Sequence, residues 1–418
     1  MIENERVAFT KEMKETHTIL IPNMLPIHFR LIEYILKLEG FKVEILNTMS
    51  SSIIETGLKY VNNDTCYPAQ LTIGQLLDAT LRLGYDTHKI ALLLPQTGGG
   101  CRASNYVSLL RKALKKANID YIPVLSFNLL GMEEHPGFKL SKSFFKKAIY
   151  CVLYGDLIMN IKNQVLPYAA DASSVEQMVD EICTNLEQQI SEGKCYSKAG
   201  LKKNATFILN KFSSIPMVKS ESKKRVGVVG EIYVKFAPLG NNNLEEMLLR
   251  EGCEVVVPGL MDFVLYTIDA GIEDYKLYGM NLPKATISQG LFSYIVALQN
   301  TVIDAYGNYP IFHKPTKFLK TKELSKKAIH EGTKMGEGWL LTGEMIELIE
   351  SGVDNIVCTQ PFGCLPNHIA GRGMLRKIKK MYPNANIVPI DYDASASKVN
   401  QENRIKLMLA SSLYENHI

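Results

Sequence analysis

Short apolar runs alternate with longer amphipathic stretches along the first part of this chain. The apolar runs predict strands at 17–24, 42–46, 89–94 and 121–125. The amphipathic stretches between them predict helices at 26–39, 68–84 and 104–117. Strands that alternate with helices build mostly parallel sheets that are covered on both faces, so the pattern indicates an α/β fold.

The second part of the chain repeats this pattern after a predominantly helical stretch at 126–220. Strands are predicted at 225–229, 254–257, 355–357 and 387–390, and helices at 244–251, 367–381 and 400–414. A helix-rich insert is predicted for 260–350. The lysine- and serine-rich segment 219–224 gives the best boundary. We therefore expect two Rossmann-like parallel-sheet domains, an N-terminal α/β domain with a helical extension at 1–220 and a C-terminal α/β domain with a helical insert at 221–418.

Composition and charge narrow the class of protein. The 418 residues are 46% hydrophobic and 22% charged, as in soluble globular proteins, and the dispersed basic residues leave a net charge of only +4, so no nucleic-acid partner is expected. No run approaches the ~18 apolar residues of a membrane span, and residues 1–14 do not resemble a signal peptide. We expect a cytoplasmic protein, in which eight cysteines indicate metal or redox chemistry rather than disulfides.

Three polar loops contain cysteines. They are NNDTCYP at 62–68, QTGGGCR at 96–102 and CTQPFGCLPNH at 358–368. Two of these loops follow predicted strands, and the other immediately precedes a predicted helix. Because open α/β sheets bind ligands beyond the carboxyl ends of their strands, these loops are candidates for a shared site.

Thiolates are soft ligands that suit iron–sulfur clusters or zinc. We predict that Cys66, Cys101, Cys358 and Cys364 bind a cluster. Zinc and unligated thiols remain alternatives, because a Cys-x5-Cys spacing is not typical of either zinc ribbons or ferredoxins.

Other residues of these loops have predicted roles beside a cluster. Gly98, Gly99 and Gly100 are expected to bring backbone amides close to it, since they have no Cβ. Arg102 and Gln360 are expected to line its access side.

The other four cysteines are not included in the predicted ligand set, and the sequence lacks nucleotide-binding motifs. Cys183, Cys195 and Cys253 are interpreted mainly as structural, and Cys151, in a strand-like run at 148–153, is left open as a further ligand. The chain has neither Gly-x-Gly-x-x-Gly after a strand nor a phosphate-binding loop. Any energy input is therefore expected from a partner.

Several segments resemble the 2-hydroxyacyl-CoA dehydratase component family, and most closely the homologous region of large CoA-dehydratase-activase-related proteins. They are KYVNNDTCYP at 59–68, QTGGGCRASNY at 96–106, VGVVGE at 226–231, GWLLTGE at 338–344 and CTQPFGCLPNHIAG at 358–371. The resemblance extends over about residues 15–410.

This resemblance implies Rossmann-like domains that hold a [4Fe-4S] cluster or, in a related branch, a double-cubane [8Fe-9S] cluster. It also implies a separate dimeric, ATP-hydrolysing iron–sulfur activator that supplies low-potential electrons. The dehydratases use such an electron to remove a hydroxyl group from a 2-hydroxyacyl-CoA through a ketyl radical, whereas related double-cubane proteins reduce small molecules.

From these observations we expect an anaerobic iron–sulfur protein that accepts electrons from this activator for a dehydratase-like reaction or a small-molecule reduction. Its substrate would be an acyl-CoA or another small molecule, and a two-fold symmetric activator favours a homodimer. A six-cysteine double-cubane site would require the cysteines interpreted as structural, so a single cluster with four ligands, or with three and an open iron, is the simpler expectation. The alternative is a non-catalytic electron relay or scaffold with a structural [4Fe-4S] cluster.

Overall fold

Eight strands in the described part of the chain form two parallel sheets of four strands each. The computed structural model describes residues 6–97, 99–128, 133–218 and 222–414. The first sheet contains β1 (Thr18–Pro22), β2 (Lys42–Leu46), β3 (Ile90–Pro95) and β4 (Val124–Phe127) in the order β2-β1-β3-β4. The second contains β5 (Arg225–Gly230), β6 (Glu254–Val256), β7 (Asn355–Pro361) and β8 (Asn386–Tyr392) in the order β6-β5-β7-β8. The two sheets therefore share one topology, and the prediction of two Rossmann-like parallel-sheet units is confirmed.

Helices cover both sheets and build a separate helical layer. In the first half they are α1 (Met13–Thr16), α2 (Pro26–Leu38), α3 (Ser51–Tyr60), α4 (Tyr67–Arg82), α5 (Tyr106–Lys116), α6 (Lys142–Val165), α7 (Ala172–Ser191) and α8 (Lys198–Ser213). In the second half they are α9 (Ile232–Phe236), α10 (Pro238–Asn241), α11 (Leu244–Arg250), α12 (Leu260–Tyr278), α13 (Leu282–Ala305), α14 (Phe318–Ser325), α15 (Trp339–Glu350), α16 (Leu375–Met381) and α17 (Lys398–Tyr414). No helix among the described residues is both long enough and apolar enough to cross a membrane.

Several elements differ from the sequence-based expectation. Strand β7 continues to Pro361, four residues beyond the predicted end at 357, because it pairs with β8 as far as Tyr392. The predicted helix at 367–381 is divided into a π-helical turn at Asn367–Gly371, a 3-10 turn and α16. Helix α3 was not predicted, and the strand-like run around Cys151 lies in α6.

The helical extension and the helical insert pack on one another. Helix α6 contacts α12 and α13, helix α8 contacts α13, and buried side chains from both halves belong to one hydrophobic cluster. Leu157 and Ile208 represent the first half in this cluster, and Leu265 and Leu298 the second. The proposed boundary at 220/221 falls at residues 219–221, which lie outside the described residues, and it stays a prediction.

Candidate metal centre

Three cysteine-containing loops meet between the two sheets. Cys101 follows β3, Cys364 follows β7, and Cys66 directly precedes α4. The backbone N–H of Tyr67 donates a hydrogen bond to the carbonyl of Phe362 at 3.0 Å, which joins the first half to the second. Gly363 has a φ of +72°, and a Cβ at this position would lie 3.1 Å from the Cα of Cys66. Only glycine allows the loop of Cys364 to approach Cys66 this closely.

The thiols of Cys66, Cys101 and Cys364 share one electrostatic environment. Burial raises the pKa of each thiol, that of Cys101 to about 11, and the Glu231 carboxyl raises all three further. The charge of Cys101 also interacts with Cys66 and with Cys364. These three thiols are therefore the cysteines that the structure brings together.

Hydrogen bonds and one nearby cation favour the charged form of these thiols. Tyr106 Oη lies 3.2 Å from Cys66 Sγ, and the backbone N–H of Ala103 donates to Cys101 Sγ at 3.5 Å. The exposed Arg102 also lowers the pKa of Cys66, although its effect is smaller than that of burial. Such contacts stabilise thiolates, which are the species that bind metals.

Two carboxyl groups stand beside the thiols. Glu231 follows β5 and accepts a hydrogen bond from the Val234 N–H at 2.9 Å, which caps α9. Glu337 is 5% exposed and accepts from the Ile232 N–H at 3.0 Å. Burial, and next the charge of Glu337, raises the pKa of Glu231 to about 8, and burial also raises the pKa of Glu337. Near neutral pH, Glu231 therefore holds a proton next to three cysteines.

A buried ion pair fixes the elements that carry these carboxyl groups. Lys235 Nζ on α9 lies 3.0 Å from Glu344 Oε1 on α15, and both side chains are almost completely buried. Helix α9 begins next to Glu231, and α15 begins shortly after Glu337. The ion pair thus holds the two carboxyl groups in a fixed relation.

The structure does not bring Cys358 to this group. Its side chain is 0% exposed in the core beneath the second sheet, and its charged neighbours are Glu344, Asp391 and Arg372. The physical reason is the length of β7, which keeps Cys358 within the strand instead of in the loop that was predicted to begin there.

Gln360 is also placed differently from the expectation. It is 0% exposed, within β7, and therefore does not line an open access side. Its Nε2 donates to Asn367 Oδ1, while its Oε1 has no hydrogen-bond partner among the described residues. Asn367 is close to Cys364, because the Asn367 N–H hydrogen-bonds the Cys364 thiol and lowers its pKa.

The glycine loop is described only in part. Gly98 lies outside the described residues, whereas Gly99 and Gly100 are exposed. A Cβ on Gly99 would meet open space, and one on Gly100 would meet only the flexible end of Met335. The Gly99 carbonyl accepts a hydrogen bond from Ser104 Oγ at 2.6 Å, which ties the loop to the turn after Cys101.

The other four cysteines are buried elsewhere. Cys151, Cys183 and Cys195 belong to the core of the helical layer, and Cys253 belongs to a core of the second half. Their burial agrees with the structural interpretation of these residues.

Sequence reasoning gave no role to three residues of this site. Tyr106 lies at the end of QTGGGCRASNY, Glu231 directly follows β5, and Glu337 precedes GWLLTGE. An acidic residue at the carboxyl end of a parallel strand is a signal that could have identified Glu231. Neither Tyr106 nor Glu337 has a comparable signal, because the fold alone brings them to the cysteines.

The potential metal ligands of this site are three thiols on three separate loops. Over the residues that the structure describes, no group of three or more His, Cys, Asp or Glu side chains is arranged to hold one metal ion. A cluster has a different requirement, since each thiolate binds a different iron atom. Three soft donors lie on three loops, one of which closely approaches Cys66 at Gly363, and thiols are the donor type that such a cluster would need.

We also compared the chain with known proteins. No protein-family model matches it, and no curated protein shows significant similarity to it.

Proposed function

We propose that this protein is an iron–sulfur reductase or dehydratase-like component of the cytoplasm that holds a [4Fe-4S] cluster through Cys66, Cys101 and Cys364. The observation that carries the proposal is the meeting of three thiols with two carboxyl groups whose pKa values are raised. Cys358 is left out of the ligand set because its neighbours are different. A double-cubane cluster is also left out, since the other cysteines lie in separate cores.

The number of thiols favours a reactive cluster over a closed relay. Three protein thiolates leave one of the four irons of such a cluster free to bind a substrate or a solvent molecule. An electron relay would instead use a cluster whose irons are all bound by protein thiolates. The relay is therefore the second candidate function.

A bound cluster would supply single electrons at low potential. The residues around it would manage charge and protons. Arg102 would offset negative charge at Cys66, Tyr106 would donate a hydrogen bond to its sulfur, and Glu231 would keep a proton available for a leaving hydroxyl group or a reduced product. Water would be limited, because the Glu337 carboxyl group and the thiols of Cys66 and Cys364 are buried.

The electron source belongs to the proposal. The sequence contains no phosphate-binding loop, so ATP hydrolysis is assigned to a separate iron–sulfur activator that docks near the exposed loop of Gly99 and Arg102. An acyl-CoA or another small molecule would be the final electron acceptor.

Anaerobic purification followed by iron and sulfide quantification and EPR spectroscopy tests the cofactor. We expect about four iron and four sulfide per chain. Cys66→Ser, Cys101→Ser and Cys364→Ser should each lower the iron content, whereas Cys358→Ser and the control Cys253→Ser should retain it. Protein without iron, or with zinc instead, refutes the proposal.

A second measurement separates the reactive cluster from the relay. Cyanide added to the reduced protein should change the EPR spectrum if one iron has no thiolate ligand. An unchanged spectrum in a protein with full iron content supports the relay and refutes the open iron.

A further inference from the structure

One face of helix α13 is exposed and carries no charge. The helix has 24 residues, and the sequence contains no charged residue between Lys284 and Asp304. On the exposed face, Ile287, Leu291 and Tyr294 are 74%, 42% and 42% exposed. The solvent-facing side of a helix is normally rich in charged residues, and apolar surface of this kind is typical of an interaction site.

The three large side chains form a ridge along one side of this face. Ile287, Leu291 and Tyr294 follow one another at spacings of four and three residues, which places them on one line of the helix. More apolar surface is present near the start of α13, where three large side chains are exposed: Tyr278, Met280 and Leu282.

A groove lies on the other side of the same face. It has a volume of about 440 Å³ and is bounded by α12, α13 and α14. Phe292, Val296 and Leu319 give it apolar surface. None of the proposed cluster ligands lines this groove, so the inference goes beyond the proposed function and does not depend on it.

The charged groups of the groove neutralise one another. Lys322 Nζ lies 2.6 Å from an Asp269 carboxylate oxygen and 2.9 Å from Glu273 Oε1. Lys276 Nζ lies 2.8 Å from the same Glu273 oxygen. Two cations and two carboxylates leave no net charge, so the groove is suited to an uncharged partner surface.

Small residues separate the ridge from the groove. With about 100° of rotation per residue, Gly290 and Ala297 lie between the two, and both are exposed. A Cβ on Gly290 would meet open space. Because the distance between two packed helices depends on the side chains at their contact, a second helix could approach α13 closely here.

The ridge and the groove lie at the same height along the helix. The ridge extends from residue 287 to 294, and the part of α13 that lines the groove extends from 289 to 300. A two-fold axis parallel to α13 exchanges the two sides of the face without reversing the helix. Two copies of the chain related by this axis would each place their ridge in the groove of the other.

We propose that this face binds a second copy of the chain in a two-fold symmetric dimer, in which the ridge of each copy fills the groove of the other. The uncharged ridge matches the neutral groove, so the face is complementary to itself in charge as well as in shape. The helix is about 36 Å long, and the ridge and groove together span about 20 Å, which gives about 700 Å² per copy. Specific interfaces bury about 800 Å² per partner, so the face is large enough for a dimer.

Sedimentation velocity of the anaerobically purified full-length protein tests this proposal. At about 10 μM we expect the mass of two chains, because interfaces of this size reach micromolar or higher affinity. Protein that sediments as a monomer overturns the proposal, and the face would then belong to a different partner.

Two substitutions locate the interface. Ile287→Glu places a charge on the ridge and Leu319→Glu places one in the groove, and each should weaken dimerisation about hundredfold or more because the dimer would bury that charge twice. The matched control is Leu407→Glu on α17, where the side chain is 69% exposed, and it should leave dimerisation unchanged.

The outcomes of these variants are distinct. Unaltered dimerisation of Ile287→Glu, or equal weakening by Leu407→Glu, overturns the assignment of this face. Weakening by Ile287→Glu without weakening by Leu319→Glu overturns the placement of the ridge in the groove. Circular dichroism verifies folding, and if one variant does not fold, the other variant and the mass of the parent still decide the outcome. Iron content is measured on the same samples, so failure of this proposal is distinguishable from failure of the proposed function.

Discussion

Replacement of Lys235 by methionine removes the cation of the buried pair that joins α9 to α15. The pair has an Nζ–Oε1 distance of 3.0 Å, and the side chains of Lys235 and Glu344 are each 2% exposed. Methionine retains most of the apolar stem of lysine, so the substitution mainly removes charge. Glu344 is then left without a partner in a site where burial already raises its pKa.

The cost of this substitution depends on pH. An uncompensated buried charge destabilises a protein by about 3–5 kcal/mol. Glu344 can avoid part of this cost by taking up a proton, and its pKa in the folded variant lies above its ordinary value of 4.5. When folding raises the pKa of a carboxyl group, the folded protein becomes less stable as the pH increases. The free energy of unfolding falls by about 1.4 kcal/mol per pH unit between the pKa of the group in the unfolded chain and its pKa in the folded protein. Lys235→Met should therefore cost about 3–5 kcal/mol at pH 8 and clearly less at pH 5.

Guanidinium chloride unfolding, followed by circular dichroism at both pH values, measures this effect. The double variant Lys235→Met/Glu344→Leu should recover most of the lost free energy, because no buried charge remains. A loss below about 1 kcal/mol at pH 8, or a double variant no more stable than the single one, refutes the reasoning. Iron content should fall in Lys235→Met if the pair positions the site as described.

Three further substitutions test the cysteine site. Tyr106→Phe removes the hydroxyl next to Cys66 Sγ, and it should shift the midpoint potential in an EPR-monitored titration while iron content is retained; an unchanged potential contradicts the hydrogen bond. Gly363→Ala should cost about 1–3 kcal/mol and lower iron content, because φ is +72° and the new Cβ would crowd Cys66. The control Gly352→Ala, with a φ of +81° and open space around it, should only destabilise. The Glu231→Gln variant should be as stable as the metal-free parent protein at pH 5 and more stable at pH 8, because the pKa of Glu231 is raised to about 8 and its charge is unfavourable in the folded protein. Urea unfolding at both pH values measures this difference. Equal stability of the two proteins at pH 8 contradicts the prediction.

The strands were largely predictable because a buried parallel strand is a compact apolar run. Strand β2 has the predicted bounds, and β3 is displaced by one residue. Strand β4 begins later than predicted, after Pro123, since proline cannot donate to a neighbouring strand. The end of β7 was not predictable from local sequence, because the polar residues Thr359 and Gln360 are buried by contacts from distant parts of the chain.

The same limit applies to the site. The three cysteines that lie together, Cys66, Cys101 and Cys364, were all placed in loops by the sequence. Cys358 was wrongly placed in a loop because strand β7 was predicted to end at residue 357, directly before this cysteine. The depth at which Glu337 lies, and the pKa that results, depends on packing between α9 and α15. No local pattern carries that information.

The helical layer that joins both halves has a consequence for synthesis of the chain. Helices α6 and α8 are complete by residue 213, but α13, which covers them, ends only at Ala305. While the intervening residues are translated, at roughly 5–20 per second, the nascent chain exposes apolar side chains such as Leu157 and Ile208 for several seconds. Chaperone capture during this interval, and aggregation of chains truncated before residue 282, follow from the order in which the layer is assembled.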